Sequence, residues 1–204
     1  MIAALQTETT TMAPNGNANG NTEHELQSQQ LLAVARTVLE QAVDLVDNYL
    51  TSDDQLTVHS KSLPGSTIGK HLRHARDHFI LLVESVSSEY VLNYDVRSRN
   101  TPMESSLSEA RVALIDAITR LEKVVPQVDI HQRMALNAIT PYPQTLETTF
   151  GRELWFAALH CIHHWSMVRV IAGELDITLT DDFGFAPSTL VHQGKEAPLG
   201  KAKI

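Results

Sequence analysis

The chain has 204 residues, 43% of them apolar, with 24 acidic side chains against 16 Lys and Arg and a single cysteine. That length is one domain with tails, and at this size an ordered core of about 150 residues hides roughly 68–70% of its unfolded surface. The net charge of −8 leaves no basic face for nucleic acid, the lone cysteine excludes an internal disulfide framework, and no apolar run reaches the roughly 18 residues of a membrane span.

The chain opens on MIAALQTETTTM, without the basic start or long apolar stretch of a secretory signal, so a cytoplasmic protein is expected. Residues 1–23, rich in Thr, Asn and Gly, offer little to bury and are read as a disordered leader. A first helix is predicted over about 25–50, where Leu31, Leu32, Ala35, Val38, Leu39, Ala42, Leu45, Val46 and Tyr49 recur every three to four positions. A second follows Pro64-Gly65, with Ser66 as N-cap, and runs to about Tyr90 through Leu72, Ala75, Phe79 and Val83. The third starts at Ser106, three residues before Glu109 in a capping-box pattern, and stops near Val124, just before Pro126. The fourth runs from Thr148 or Thr149 to Gly173. Residues 91–105 and 125–147 are long connections, the latter with a short hairpin. The fold class is thus all-α, a four-helix bundle with long crossovers. The expected domain is 24–186, and 187–204 a flexible C-terminal tail.

Six of the ten histidines fall in two short windows, both mid-helix: His71, His74 and His78, then His160, His163 and His164. At 100° per residue the first three lie within an arc of about 60°. His160 and His164 stack one turn apart. Two imidazoles at that spacing can grip one metal ion. A third from a neighbouring helix makes three protein ligands, which leaves a position for water or substrate. Packing these rings together without a metal leaves ring nitrogens in need of partners. The zincin signature is absent, since Cys161 stands where it requires Glu. Spacing does not choose among His71, His74 and His78.

Three segments carry a resemblance. STIGKHLRHARDHF (66–79), NYDVRSRNTPME (93–104) and GRELWFAALHCIHHW (151–165), followed by DFGFAPSTL (182–190), look like the DinB-like superfamily. More narrowly, they resemble a branch with SIGxHxRHxxDHF and GRELxFxxxHxxHH motifs. The resemblance implies an up-down-down-up bundle and a divalent zinc, nickel or iron ion held by three histidines. Carried over, the HxxxH pair is His160 and His164, and the ligand from the second helix is His74. His71, His78 and His163 remain as additional ligands or as partners of the ligands. Characterised relatives of the superfamily include metal-dependent enzymes that act with low-molecular-weight thiols, such as mycothiol-dependent maleylpyruvate isomerase and bacillithiol transferases. Ergothioneine-type sulfoxide synthases favour HxxxHxE, whereas position 166 here is Ser.

Asp95, Arg97 and Arg99 alternate along the second connection and are candidates for binding a carboxylate or thiol-peptide substrate, against a structural reading in which Asp–Arg pairs staple the loop. Arg152-Glu153 reads as a helix-end ion pair. Cys161 reads as a small buried apolar residue, and Trp155, Phe156 and Trp165 as core or pocket wall. Asp77 and Glu153 could orient the imidazoles, with surface pairing the default for Asp77. No catalytic residue is identifiable. The expected function is a metal-dependent enzyme that activates a water or a thiol, for thiol transfer or hydrolysis. The alternative is a non-catalytic metal-binding or stress-associated binding protein. The expected partners are a small-molecule substrate and a second copy in a homodimer, with neither nucleic acid nor membrane.

Overall fold

The computed structural model describes residues 18–96, 98–195 and 199–200, with side chains from residue 23 onward. The elements run α1 (Ala18–Asp44), α2 (Asp54–Thr57), α3 (Ile68–Ser85), β1 (Val91–Leu92), α4 (Leu107–Val124), β2 (Arg133–Ala138), β3 (Gln144–Thr149), α5 (Phe150–Glu174) and α6 (Pro187–His192). A π-helical turn, Leu45–Tyr49, prolongs α1.

Hydroxyl caps start α3, α4 and α5. Thr67, one residue beyond the expected Ser66, accepts the Lys70 amide at 3.2 Å. Ser106 accepts that of Glu109 at 3.4 Å and Thr149 that of Arg152 at 3.3 Å. α3 stops at Ser85 rather than near Tyr90, because Glu89 and Tyr90 take positive φ in a tight turn. α5 runs past Gly173 and is closed by Asp176, also at positive φ.

Four long helices pack in a closed ring: α1 against α4 and α5, and α3 against α4 and α5. Their contacts fix direction. Arg36 meets Glu122 and Asp47 meets Arg111, so α4 descends against α1. Arg76 meets Asp116 and Glu84 meets Arg120, so α3 and α4 are parallel. Trp165 donates its indole N–H to the Val38 carbonyl at 2.8 Å and Leu31 lies over Gly151, so α1 and α5 are parallel. The shared core holds Leu39, Leu72, Phe79, Leu114, Leu121, Phe150 and Trp165, all fully buried. Gly69 brings α3 against the backbone of a 3-10 turn, Pro102–Glu104; a Cβ there would sit 2.1 Å from the Glu104 carbonyl oxygen.

The all-α expectation needs a correction, since both long connections contribute to a three-stranded sheet of order β1-β2-β3. β2 and β3 form an antiparallel hairpin, Arg133 opposite Thr149, and β1 adds to β2 in parallel through Val91 and Leu92. Leu92 and Met134 bury into the helical core. A two-residue strand has no periodicity to detect, so only the hairpin is readable from sequence.

At the ends, Ala18–Glu23 of the expected leader are already helical, and residues 1–17 lie outside the described residues. Within the expected tail, α6 forms a turn and a half that buries Leu190 completely. The segment before it is clamped to α5: Arg169 donates to the Phe183 carbonyl at 2.8 Å and the Phe183 ring stacks near Trp165. No described helix is long and apolar enough to cross a membrane.

Candidate metal centre

The two histidine windows meet because α3 and α5 run antiparallel. His74 faces His160, their Nε2 atoms 3.0 Å apart, and His71 faces His164, their Nδ1 atoms 2.7 Å apart. His164 Nε2 in turn lies 3.1 Å from His160 Nε2. His74, His160 and His164 form one group whose ligand atoms all lie within 4.8 Å of one another. All three are half-buried, and fully buried Leu72, Ala75 and Cys161 lie behind them in the core.

The donor set fits a cation. An in-plane imidazole nitrogen carries either one proton or one lone pair. His160 Nε2 therefore cannot complete good in-plane hydrogen bonds to both of its nitrogen neighbours. Three lone pairs on one ion remove the conflict. Two nitrogens about 2.05 Å from a tetrahedral zinc sit about 3.3 Å apart, close to the separations seen. A ligating imidazole must be neutral, and the surroundings favour that form at His164. Burial pushes His164 down to about 2, reinforced by the neighbouring imidazoles of His74, His160, His71 and His163. Burial lowers His71 as well, with a smaller effect from His163.

The remaining histidines divide. His78 is buried and donates its Nδ1–H to the His74 carbonyl at 3.0 Å, and its ring centroid lies 4.2 Å from that of His160. His163 is exposed, its ring 6.2 Å from His160, outside the group. Cys161 is fully buried, and burial pushes its thiol well up, as expected of a small apolar residue rather than a nucleophile.

One wall of the site is aromatic. Tyr94 stacks on His78 at 4.5 Å, Phe156 stacks on His160 at 5.5 Å, and the Arg152 guanidinium lies 5.1 Å over Phe156. Behind this wall, Glu153 is fully buried. It accepts from Thr148 Oγ1 at 2.7 Å, Arg152 Nη1 at 2.8 Å and Tyr94 Oη at 3.0 Å. Burial, then the Glu153 charge, drive the Tyr94 hydroxyl far above its ordinary value and keep it protonated. Glu153 thus steadies the wall through Tyr94. Tyr94 lies in the NYDVRSRNTPME segment that carries the resemblance, but its role in this wall was not readable, because it sits in a loop without periodicity. Trp165 is core and Phe156 wall, as expected, whereas Trp155 is exposed.

Asp77 is buried between Arg73 and Arg76 on the side of α3 that faces α4, rather than paired at the surface. Of the loop candidates, Asp95 accepts from the Ile139 and Thr140 amides and the Thr140 hydroxyl. It therefore ties its loop to the β2–β3 turn. Arg99 is exposed, and Arg97 lies outside the described residues.

The chain belongs to the DinB superfamily, whose family model matches residues 31–168. That span includes all six clustered histidines. The chain is also similar to FK506-binding protein 5 of Rhizopus delemar, 31% identical over 168 residues, which covers 81% of this chain and 38% of that relative. The chain thus spans well under half of that relative's length. No solved structure matches.

Proposed function

We propose that this chain is an up-down-down-up four-helix bundle in which His74, His160 and His164 hold a zinc, nickel or iron ion and act on a small molecule beside it. The observation that carries this reading is the convergence of three half-buried imidazoles from two helices. When bound, a divalent cation supplies Lewis acidity, which brings the pKa of a neighbouring water or thiol toward neutrality. The chain's own contribution is positional. Three protein ligands match the ligand count of sites that leave room for a reacting molecule. Phe156, Tyr94 and His78 give one side an apolar face, and Arg152 sets a positive charge at its rim. A low-molecular-weight thiol or a hydrolysable small molecule is the substrate class, with thiol transfer or hydrolysis as the reaction. A cytoplasmic setting and a homodimer complete the reading.

The test is metal analysis of the untagged, full-length protein, followed by turnover assays. One equivalent of metal in the wild type and none in His160→Ala supports the site. Thiol consumption with an electrophile, or ester hydrolysis, lost in the same variant, supports the enzyme. Metal bound without any turnover makes it a binding protein. A folded wild type that takes up no zinc, nickel or iron refutes the reading.

A further inference from the structure

We infer that His71 is a positioning residue: its Nδ1 accepts the Nδ1–H of His164 and so holds that ring with Nε2 aimed into the three-histidine group. The inference rests on the metal reading above.

The two nitrogens of His164 have different neighbours. Nε2 lies 3.1 Å from His160 Nε2, inside the group, while Nδ1 lies 2.7 Å from His71 Nδ1, behind it. A neutral ring that offers its Nε2 lone pair carries its proton on Nδ1. The His71 nitrogen at 2.7 Å is then the acceptor, and an acceptor on the far nitrogen fixes both tautomer and ring plane of a metal-bound histidine. His71 itself then carries its proton on Nε2, an atom that is buried and has no hydrogen-bond partner among the described residues.

The direction of this hydrogen bond depends on the state of the group. Where His164 Nε2 donates to His160, its Nδ1 holds the lone pair and His71 Nδ1 donates. Where His164 Nε2 is a ligand, the bond runs the other way. Between the two states His164 gives up the Nε2 proton to solvent, the proton between the Nδ1 atoms passes from His71 to His164, and His71 gains one on Nε2. Neither ring changes charge.

The experiment compares His71→Asn with His71→Leu in the full chain. The Asn Oδ1 stands near the place of Nδ1 and accepts the same proton, whereas Leu fills space without an acceptor. Zinc affinity is measured by competition with a chromophoric chelator, and the visible spectrum of the cobalt-loaded protein reports ligand geometry. H71L is expected to bind zinc about 10–100-fold more weakly, with shifted cobalt bands, and H71N within about threefold of wild type. Wild-type affinity in H71L overturns the inference, as does equal weakness of H71N and H71L. If H71L does not fold, the nitrogen-15 shift of His164 Nδ1 in the zinc-loaded wild type decides: a protonated signature supports the inference and an unprotonated one overturns it. A folded wild type that binds no zinc fells the metal reading and this inference together. Zinc bound by wild type and equally by H71L fells only the inference.

Discussion

Replacing Glu153 by Ala should cost about 2–4 kcal/mol of folding stability, most of it through Tyr94. The carboxylate is fully buried and has three donors: Tyr94 Oη, Thr148 Oγ1 and Arg152 Nη1. A buried hydroxyl stripped of its acceptor costs about 1–3 kcal/mol. Tyr94 is the donor that suffers most. Thr148 is only half-buried and can turn to water. The Arg152 side chain is 60% exposed, so its pair contributes at most about 1 kcal/mol after solvent screening. Glu153→Gln should cost only about 1 kcal/mol, because the amide oxygen still accepts from Tyr94 and the amide nitrogen can donate to the Thr148 hydroxyl. Urea unfolding of the metal-free proteins, followed by circular dichroism, measures both. A Tyr94→Phe, Glu153→Ala double-mutant cycle then isolates the coupling, expected at about 0.5–2 kcal/mol. The reasoning fails if Glu153→Ala lies within about 0.5 kcal/mol of wild type, or if Gln costs as much as Ala.

Four more outcomes are expected. Metal at about 100 times its dissociation constant should stabilise the wild type by about 2.7 kcal/mol; removing it with a chelator should lower Tm by several degrees, and a like shift in His160→Ala would refute the assignment. Gly69→Ala should cost at least about 1–3 kcal/mol by overpacking, because the clash is with the Glu104 backbone; Gly173→Ala meets nothing within 4 Å and should stabilise by up to about 1 kcal/mol. A reversed order in urea unfolding would contradict this. Hydrogen bonds from the Ser62 side chain, the Lys61 amide, Ser60 and the Ser62 amide hold the Glu174 carboxyl down at about 2, against an ordinary 4.5. The folded state thus favours the ionised form, so this contribution is full above pH 4.5 and is lost as pH falls toward 2. Glu174→Gln should flatten that limb of the stability curve, and parallel curves for the two proteins would refute it. Cys161→Ala should leave zinc affinity unchanged, since the buried thiol serves packing; a tenfold loss would give it a role at the site.

The helices were legible because each buries a stripe at helical period, and α3, α4 and α5 begin at a hydroxyl cap. The connections were legible only in part. Their backbone is held by long-range partners: Asp95 reaches residues 139 and 140, and β1 borrows its two bonded residues from β2. Neither pairing leaves a local trace. For the same reason the role of Tyr94 was not legible, since its partners Glu153 and His78 lie on two different helices. Asp77 misled for a related cause, as its spacing on α3 does not reveal that α4 covers that side.

The grouping of three imidazole nitrogens, by contrast, follows from register. α3 and α5 cross so that position 71 faces 164 and position 74 faces 160, each step along one helix answered by a step back along the other. On that ladder the next rung pairs His78 with Phe156, whose ring centroids lie 6.1 Å apart. The His78 ring also lies 4.2 Å from that of His160, but its Nδ1 is turned to the His74 carbonyl rather than into the group. At the other end His71 has an imidazole opposite, but through the nitrogen of His164 that points away from His160. Only the middle rung, joined by His164 one turn along, brings three Nε2 atoms together. Local spacing places all three α3 histidines on one face and so treats them alike. The core packing that sets the relative height of α3 and α5 separates them.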